Sequence, residues 1–259
     1  MSRTLRQLAA AMTATAMIPF LAAPALAQDG LSFTLGLGGE YSPDYFGADQ
    51  YGLAPTGKFS IQRVSFGPIQ FGSADPQAER LGFGLRGAFR VIGARKAADN
   101  PELTGLIDLK TSVELGLGLG YEAEAWRAFG DLRYGVIGHE SAVLEVGADW
   151  KAVKTPKFTL SVGPRLLYGS DRYARTYFGV TAAESVASGL AAFTPDAGLV
   201  SAGIEIGAAY DLGNDWGLEA SLNYDRLQGD AAASPITGLG SRDQGSVSLM
   251  LTRRFRLGF

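Results

Sequence analysis

From Leu31 to the C-terminal Phe259, the chain is built of runs in which every second residue is apolar. TSVELGLGLGY puts Val113, Leu115, Leu117, Leu119 and Tyr121 on one parity, and Glu114, Gly116, Gly118 and Gly120 on the other. WRAFGDLRYGV sets Trp126, Leu132, Tyr134 and Val136 against Arg127, Asp131 and Arg133. A period of two marks extended strands whose two sides meet different surroundings. Turn-rich pieces such as YEAEAW, GHES, VKTPK and DLGND separate the runs, so the chain reads as all-β, a succession of hairpins. A secreted β-sandwich would alternate in the same way. The runs, however, reach ~10 residues or more, against roughly 5–6 for an ordinary soluble strand, and aromatic residues gather near their ends. These features predict a closed antiparallel transmembrane β-barrel, apolar toward lipid and polar inside.

The first residues agree with export. Arg3 and Arg6 precede an apolar stretch broken by Pro19 and Pro24, which ends in Ala25-Leu26-Ala27 before Gln28. This is the pattern of a cleaved secretory signal over residues 1–27, leaving 28–259 as a single barrel domain. Nowhere after Gln28 is there an apolar run of the roughly 18 residues that a spanning helix needs. The chain has no cysteine, which excludes disulfides, thiolate metal sites and a lipid-bearing cysteine. Its formal net charge is −3, and losing Arg3 and Arg6 makes it more acidic; without a basic run there is no footprint for nucleic acid.

About eleven runs are legible outside Ser170–Pro195, whereas a barrel with both ends in the periplasm needs an even number. Adding YARTYFGVT, Tyr173 to Thr181, predicts twelve strands; fusing Tyr51–Ile61 with Val64–Phe71 gives ten as the alternative. The segments Ser42–Gln50, Ala182–Ala197 and Gly229–Gln244 are expected to face outward. In lipid every backbone group must be paired, so the last strand is expected to join the first. Phe255, Leu257 and Phe259 read as the terminal signal by which the barrel-assembly machinery takes up such chains. Arg253 has the lipid-facing parity, which calls for a snorkelling side chain or a local bulge.

The inward parity carries charges of both signs. Arg86, Arg90, Arg165, Arg254 and Arg256 accompany Glu114, Asp131, Glu219 and Asp225, with the acids of the two penultimate strands expected beside Arg254 and Arg256. Buried ions persist when paired, so the lumen is expected to hold a charge network and to be filled and rigid. The single histidine, His139, sits in GHES with Glu140 and Ser141. A barrel hydrolase would need such residues to converge with an oxyanion donor; a hairpin turn accounts for the same letters. Asp44 and Asp49 around Gly47 are too sparse for calcium, and the G-x-G of GLGLGY lies inside a strand. No catalytic, cofactor or metal site is assigned.

Three blocks carry a family resemblance: GLGGEYSPDYFGADQYGLAP, GPRLLYGSDRYARTYFGVTAAESVASGLAAF, and GDAAASPIT followed by GSRDQGSVSLMLTRRF. Together they resemble the MipA/OmpV family of Gram-negative outer-membrane proteins. The resemblance implies an outer-membrane, lipid-embedded scaffold. The implied partners are peptidoglycan-remodelling enzymes, a lytic transglycosylase (MltA) and a peptidoglycan synthase. A narrow pore for small solutes is the alternative, and a barrel hydrolase a third reading.

Overall fold

The computed structural model describes residues 30–66, 69–72 and 81–258. The signal segment 1–27 and Phe259 lie outside the described residues. Eleven strands form one antiparallel sheet: β1 (Gly30–Pro43), β2 (Tyr51–Phe66), β3 (Ile69–Gly72), β4 (Gly82–Ile92), β5 (Ser112–Glu122), β6 (Trp126–Ile137), β7 (Ala142–Lys154), β8 (Phe158–Gly169), β9 (Gly198–Gly213), β10 (Trp216–Leu227) and β11 (Asp243–Gly258). Three short helices, α1 (Asp171–Phe178), α2 (Ala182–Ser188) and α3 (Gly229–Ala233), sit in the connections. No described helix is long and apolar enough to cross a membrane.

Sheet order follows the sequence, except that the first strand meets the last: β1 pairs with β11 from Gly30↔Gly258 to Tyr41↔Val247. The chain therefore wraps into a nearly closed barrel of ten long strands, with the four-residue β3 as a short addition beside β2. Among the described residues no ladder joins β4 to β2 or β3. There Phe59 and Ile61 of β2 lie over Gly87 of β4, and Phe89 approaches Gly57.

Twelve strands is therefore corrected to ten, for two reasons. Tyr51–Phe66 is one continuous strand, which fuses the two early runs as far as Phe66 and leaves Ile69–Gly72 to turn back as the short β3. Tyr173–Phe178 is helical: Tyr173, Ala174, Tyr177 and Phe178 recur at i, i+1, i+4 and i+5, which gathers one buried stripe on a helix but would scatter over both faces of a strand. Val180 beyond it makes only an isolated bridge to Phe193.

The alternation sets the two faces of the wall. Leu37, Leu117, Leu119, Leu132, Leu222 and Leu249 are among the large apolar side chains exposed on the outside. Trp126, Trp150 and Trp216 lie at the end of the short turns; Tyr41, Tyr51, Tyr134, Tyr168 and Tyr224 lie at the other end. Two aromatic belts flanking an apolar band are what an outer-membrane barrel presents to lipid. Arg253 keeps its outward parity without a bulge in β11 and lies over the rings of Trp216 at 5.0 Å and Phe255 at 5.4 Å. Its guanidinium thus rests on the aromatic belt.

Candidate functional site

The hydrophobic core of this protein is in its loops. Connections β1–β2, β4–β5, β6–β7, β8–β9 and β10–β11 all emerge at the end opposite the chain termini, and they pack into a cap over the barrel mouth. One buried cluster joins Tyr173, Tyr177 and Phe178 of α1 to Val143, Leu167, Val200 and Leu227 at the strand ends and to Ala231 of α3. Phe46 from the β1–β2 loop sets its ring edge-on to Tyr177 at 5.1 Å. A second cluster joins Tyr45, Ala48, Leu103, Leu106, Val180 and Ile236. Burial of this kind stabilises by roughly 25 cal/mol per Å² of apolar surface.

Hydrogen bonds tie the loops together where their backbones would otherwise be buried unpaired. Ser234 Oγ donates to Phe178 O (2.7 Å), Arg95 Nη1 to Tyr177 O (2.9 Å), and Gln244 Nε2 to Ala48 O (3.2 Å) while its Oε1 accepts from Gly47 N (3.0 Å). Helix α2 begins with a capping box in which Thr181 and Glu184 satisfy each other's backbone amides, and Gly189 closes it in the left-handed region at φ 77°. Glu184 Oε1 also accepts from Ile107 N at 3.0 Å, which joins α2 to the β4–β5 loop. Burial pushes the Glu184 carboxyl up, but these backbone and hydroxyl donors outweigh it and hold the group below the usual carboxylate range. Burial pushes the Tyr177 phenol up to about 12, and burial with the Glu102 hydrogen bond raises Tyr45 further.

Beneath the cap lies a paired lumen. Arg86 bonds Asp131 (3.2 Å); Arg165 bridges Asp149 (2.7 Å) and Glu205 (2.8 Å); Arg127 also bonds Asp149 (2.6 Å). Arg86 and Arg165 lie over the ring of the inward Phe129, at 4.3 and 5.1 Å. Arg133 joins Glu114 and Glu145, both at 2.8 Å. Glu219 pairs with Lys58 of β2 (2.6 Å), and Asp225 accepts from Ser201 (3.3 Å). Arg256 is held by Asp215 in the β9–β10 turn (2.6 Å), and the Arg254 amide donates to Asp215 O. The acid that holds Arg256 is thus supplied by the turn. Arg90 reaches toward the cap, over the Phe46 ring at 5.6 Å.

His139 folds from its turn into this lumen, over Gly135, where any Cβ would run into the imidazole. Its Nε2 meets Glu114 Oε1 at 3.1 Å and its Nδ1 meets Ser141 Oγ at 2.6 Å. A carboxylate held by Arg133 can only accept, so Nε2 bears a proton toward it, and in the neutral imidazole Nδ1 then accepts from the Ser141 hydroxyl. Sequence reasoning placed Glu140 beside this pair; Glu140, at φ 47°, instead turns outward to Arg172 (2.7 Å). The acid–imidazole–hydroxyl chain is sealed: Ser141 is 4% exposed, and the His139 ring lies edge-on to Tyr173 at 5.1 Å. In this closed arrangement it anchors the cap to the wall. Among the described residues no three His, Asp or Glu side chains group as metal ligands would.

A barrel with a lipid-facing apolar band, two aromatic belts and a polar, capped interior defines an outer-membrane β-barrel protein. Residues 35–255 match the family model described as MltA-interacting protein MipA; the chain belongs to that family and lies in the Gram-negative outer membrane. The comparison with curated proteins gave no match. Among solved structures, an outer membrane channel from Pseudomonas putida F1 is 11% identical over 90% of this chain and 99% of its own, with a TM-score of 0.44. Pseudomonas putida OprB is 9% identical over 88% and 94%, at 0.40. The translocator domain of autotransporter NalP from Neisseria meningitidis is 12% identical over 89% of each chain, at 0.36. At TM-scores under 0.5 these likenesses carry nothing over to this chain.

Proposed function

We propose that the protein is a scaffold that holds peptidoglycan-remodelling enzymes, a lytic transglycosylase and a peptidoglycan synthase, at the inner face of the outer membrane. The observation that carries this reading is the cap. A pore needs a continuous water path, whereas the outer mouth is packed with Tyr173, Phe178 and Ile236, all fully buried. The family's description as MltA-interacting supports the partner class. Envelopes solubilised in mild detergent, with this protein tagged, are expected to yield a lytic transglycosylase on affinity capture; recovery of lipid and abundant porins alone overturns the reading.

The pore reading draws on the lower lumen, where Lys58, Arg86 and Arg127 side chains keep about a third of their surface open. Stable conducting steps from the intact protein in a planar bilayer would favour it over the scaffold. The paired charges serve to stiffen the barrel, and Phe255, Leu257 and Phe259 serve as its assembly signal. Removing the Phe259 side chain is expected to leave unfolded protein in the periplasm, read as loss of the heat-modifiable band on gels.

A further inference from the structure

On the described strands, Arg253 is the one charged residue of outward parity between the outer tyrosines and the tryptophan belt. Its neighbours on the wall are apolar: Leu35 stands opposite it on β1, Trp216 opposite it on β10, and Leu251 and Phe255 flank it on β11. Two rings fix its direction. The guanidinium lies over Trp216 at 5.0 Å and over Phe255 at 5.4 Å. Ring faces attract a cation without neutralising it, and they leave its N–H edge free. The adjoining β9–β10 turn offers one acid, Asp215, and Arg256 takes both of its carboxylate oxygens, at 3.1 and 2.6 Å. Among the described residues no carboxylate pairs with Arg253, whose side chain is exposed.

A cation on the lipid face is tolerated near the interface, where its long side chain reaches the headgroups. The wall itself argues against a second copy of the chain as the source of a counter-charge. Between the two belts the described strands carry no outward carboxylate, so a barrel packed alongside has none to offer there. The anion at that depth is the phosphate of a lipid. A guanidinium presents its N–H groups as a planar fork that matches two phosphate oxygens. We propose that Arg253, oriented by Trp216 and Phe255, binds the phosphodiester of one phospholipid of the periplasmic leaflet. Its acyl chains run toward the membrane centre over the exposed row Leu37, Leu251 and Leu218. With Asp215 occupied, no described acid beside Arg253 is left to hold an amine, so the site favours phosphatidylglycerol over phosphatidylethanolamine. The proposal does not depend on the scaffold reading.

The test is native mass spectrometry of the full protein after equilibration with vesicles of equal parts phosphatidylglycerol and phosphatidylethanolamine. The wild-type chain is expected to carry one retained phospholipid, phosphatidylglycerol severalfold over phosphatidylethanolamine. Arg253→Met keeps the wall apolar and is expected to lose the adduct severalfold while keeping its heat-modifiable mobility. If Arg253→Met does not fold, Trp216 emission decides, read in a Trp126→Phe/Trp150→Phe protein that keeps Arg253. Quenching by acyl-brominated phosphatidylglycerol at a lower mole fraction than by acyl-brominated phosphatidylethanolamine supports the site. Equal quenching by the two lipids overturns it, as does an adduct undiminished in Arg253→Met. A dimer abolished by Arg253→Met would overturn it too, by making a second copy the occupant.

Discussion

Glu114 holds three things at once: the guanidinium of Arg133, the imidazole of His139 and, through it, the Ser141 hydroxyl. Glu114→Gln leaves Arg133 and His139 without their buried anion, and breaking such a pair costs about 3–5 kcal/mol. The expected outcome is a lower urea midpoint for unfolding from lipid vesicles. Gly135→Ala is expected to dislodge the His139 ring and to cost stability in the same assay, because the added methyl takes the imidazole's place. Parity made the inward face of these residues legible, but partnership was not. Which acid meets which base depends on the distance across a closed lumen, and Glu219 finding Lys58 over Gly36, between β10 and β2, is an example. The sequence did hold one unread signal for His139. Gly135 is a residue of no bulk at an inward position four before the histidine, where the ring needs space.

At the scale of elements, α1 is the piece that reasoning by alternation misread. Its serial Tyr173, Arg175 and Tyr177 imitate a strand, and only the added burial of Ala174 and Phe178 reveals the helical stripe. Phe178→Ala empties a fully buried site and is expected to destabilise the cap by about 3–5 kcal/mol, seen as proteolysis within residues 171–197 of an otherwise intact barrel. Helix α2 adds a pH dependence. The folded Glu184 carboxyl titrates below its ordinary 4.5, so its contribution is complete above about that pH and is lost as pH falls through the lower folded value. A spin label on Val186→Cys is expected to gain mobility under that acidification, and Glu184→Gln to abolish the pH dependence.

For the whole molecule, the wall was legible and the lid was not. The long strands, the first-to-last closure and the outward apolar band follow from a period of two combined with the demand that backbone groups be paired in lipid, whereas the count of ten does not, because α1 imitates a strand. The lid follows from contacts among five separate connections, which no local period encodes. GHES is a short turn, yet it belongs to the capped end with the long loops. The absence of cysteine makes the orientation directly measurable. Val186→Cys, 90% exposed in its native form, is expected to react with an impermeant maleimide on intact cells, and Lys157→Cys only after the outer membrane is permeabilised. Replacing residues 171–197 by a short Gly-Ser linker is expected to turn a silent barrel into one that passes ions in a planar bilayer.

Because those five connections pack together around two common cores, the surface of the capped end cannot drift one loop at a time. Substitutions at Phe46, Tyr177 or Ile236 would unsettle neighbours far away in sequence. Tolerated change on this face is therefore channelled to a few tips, where Val186 and Ile107 are the most exposed of the large apolar side chains.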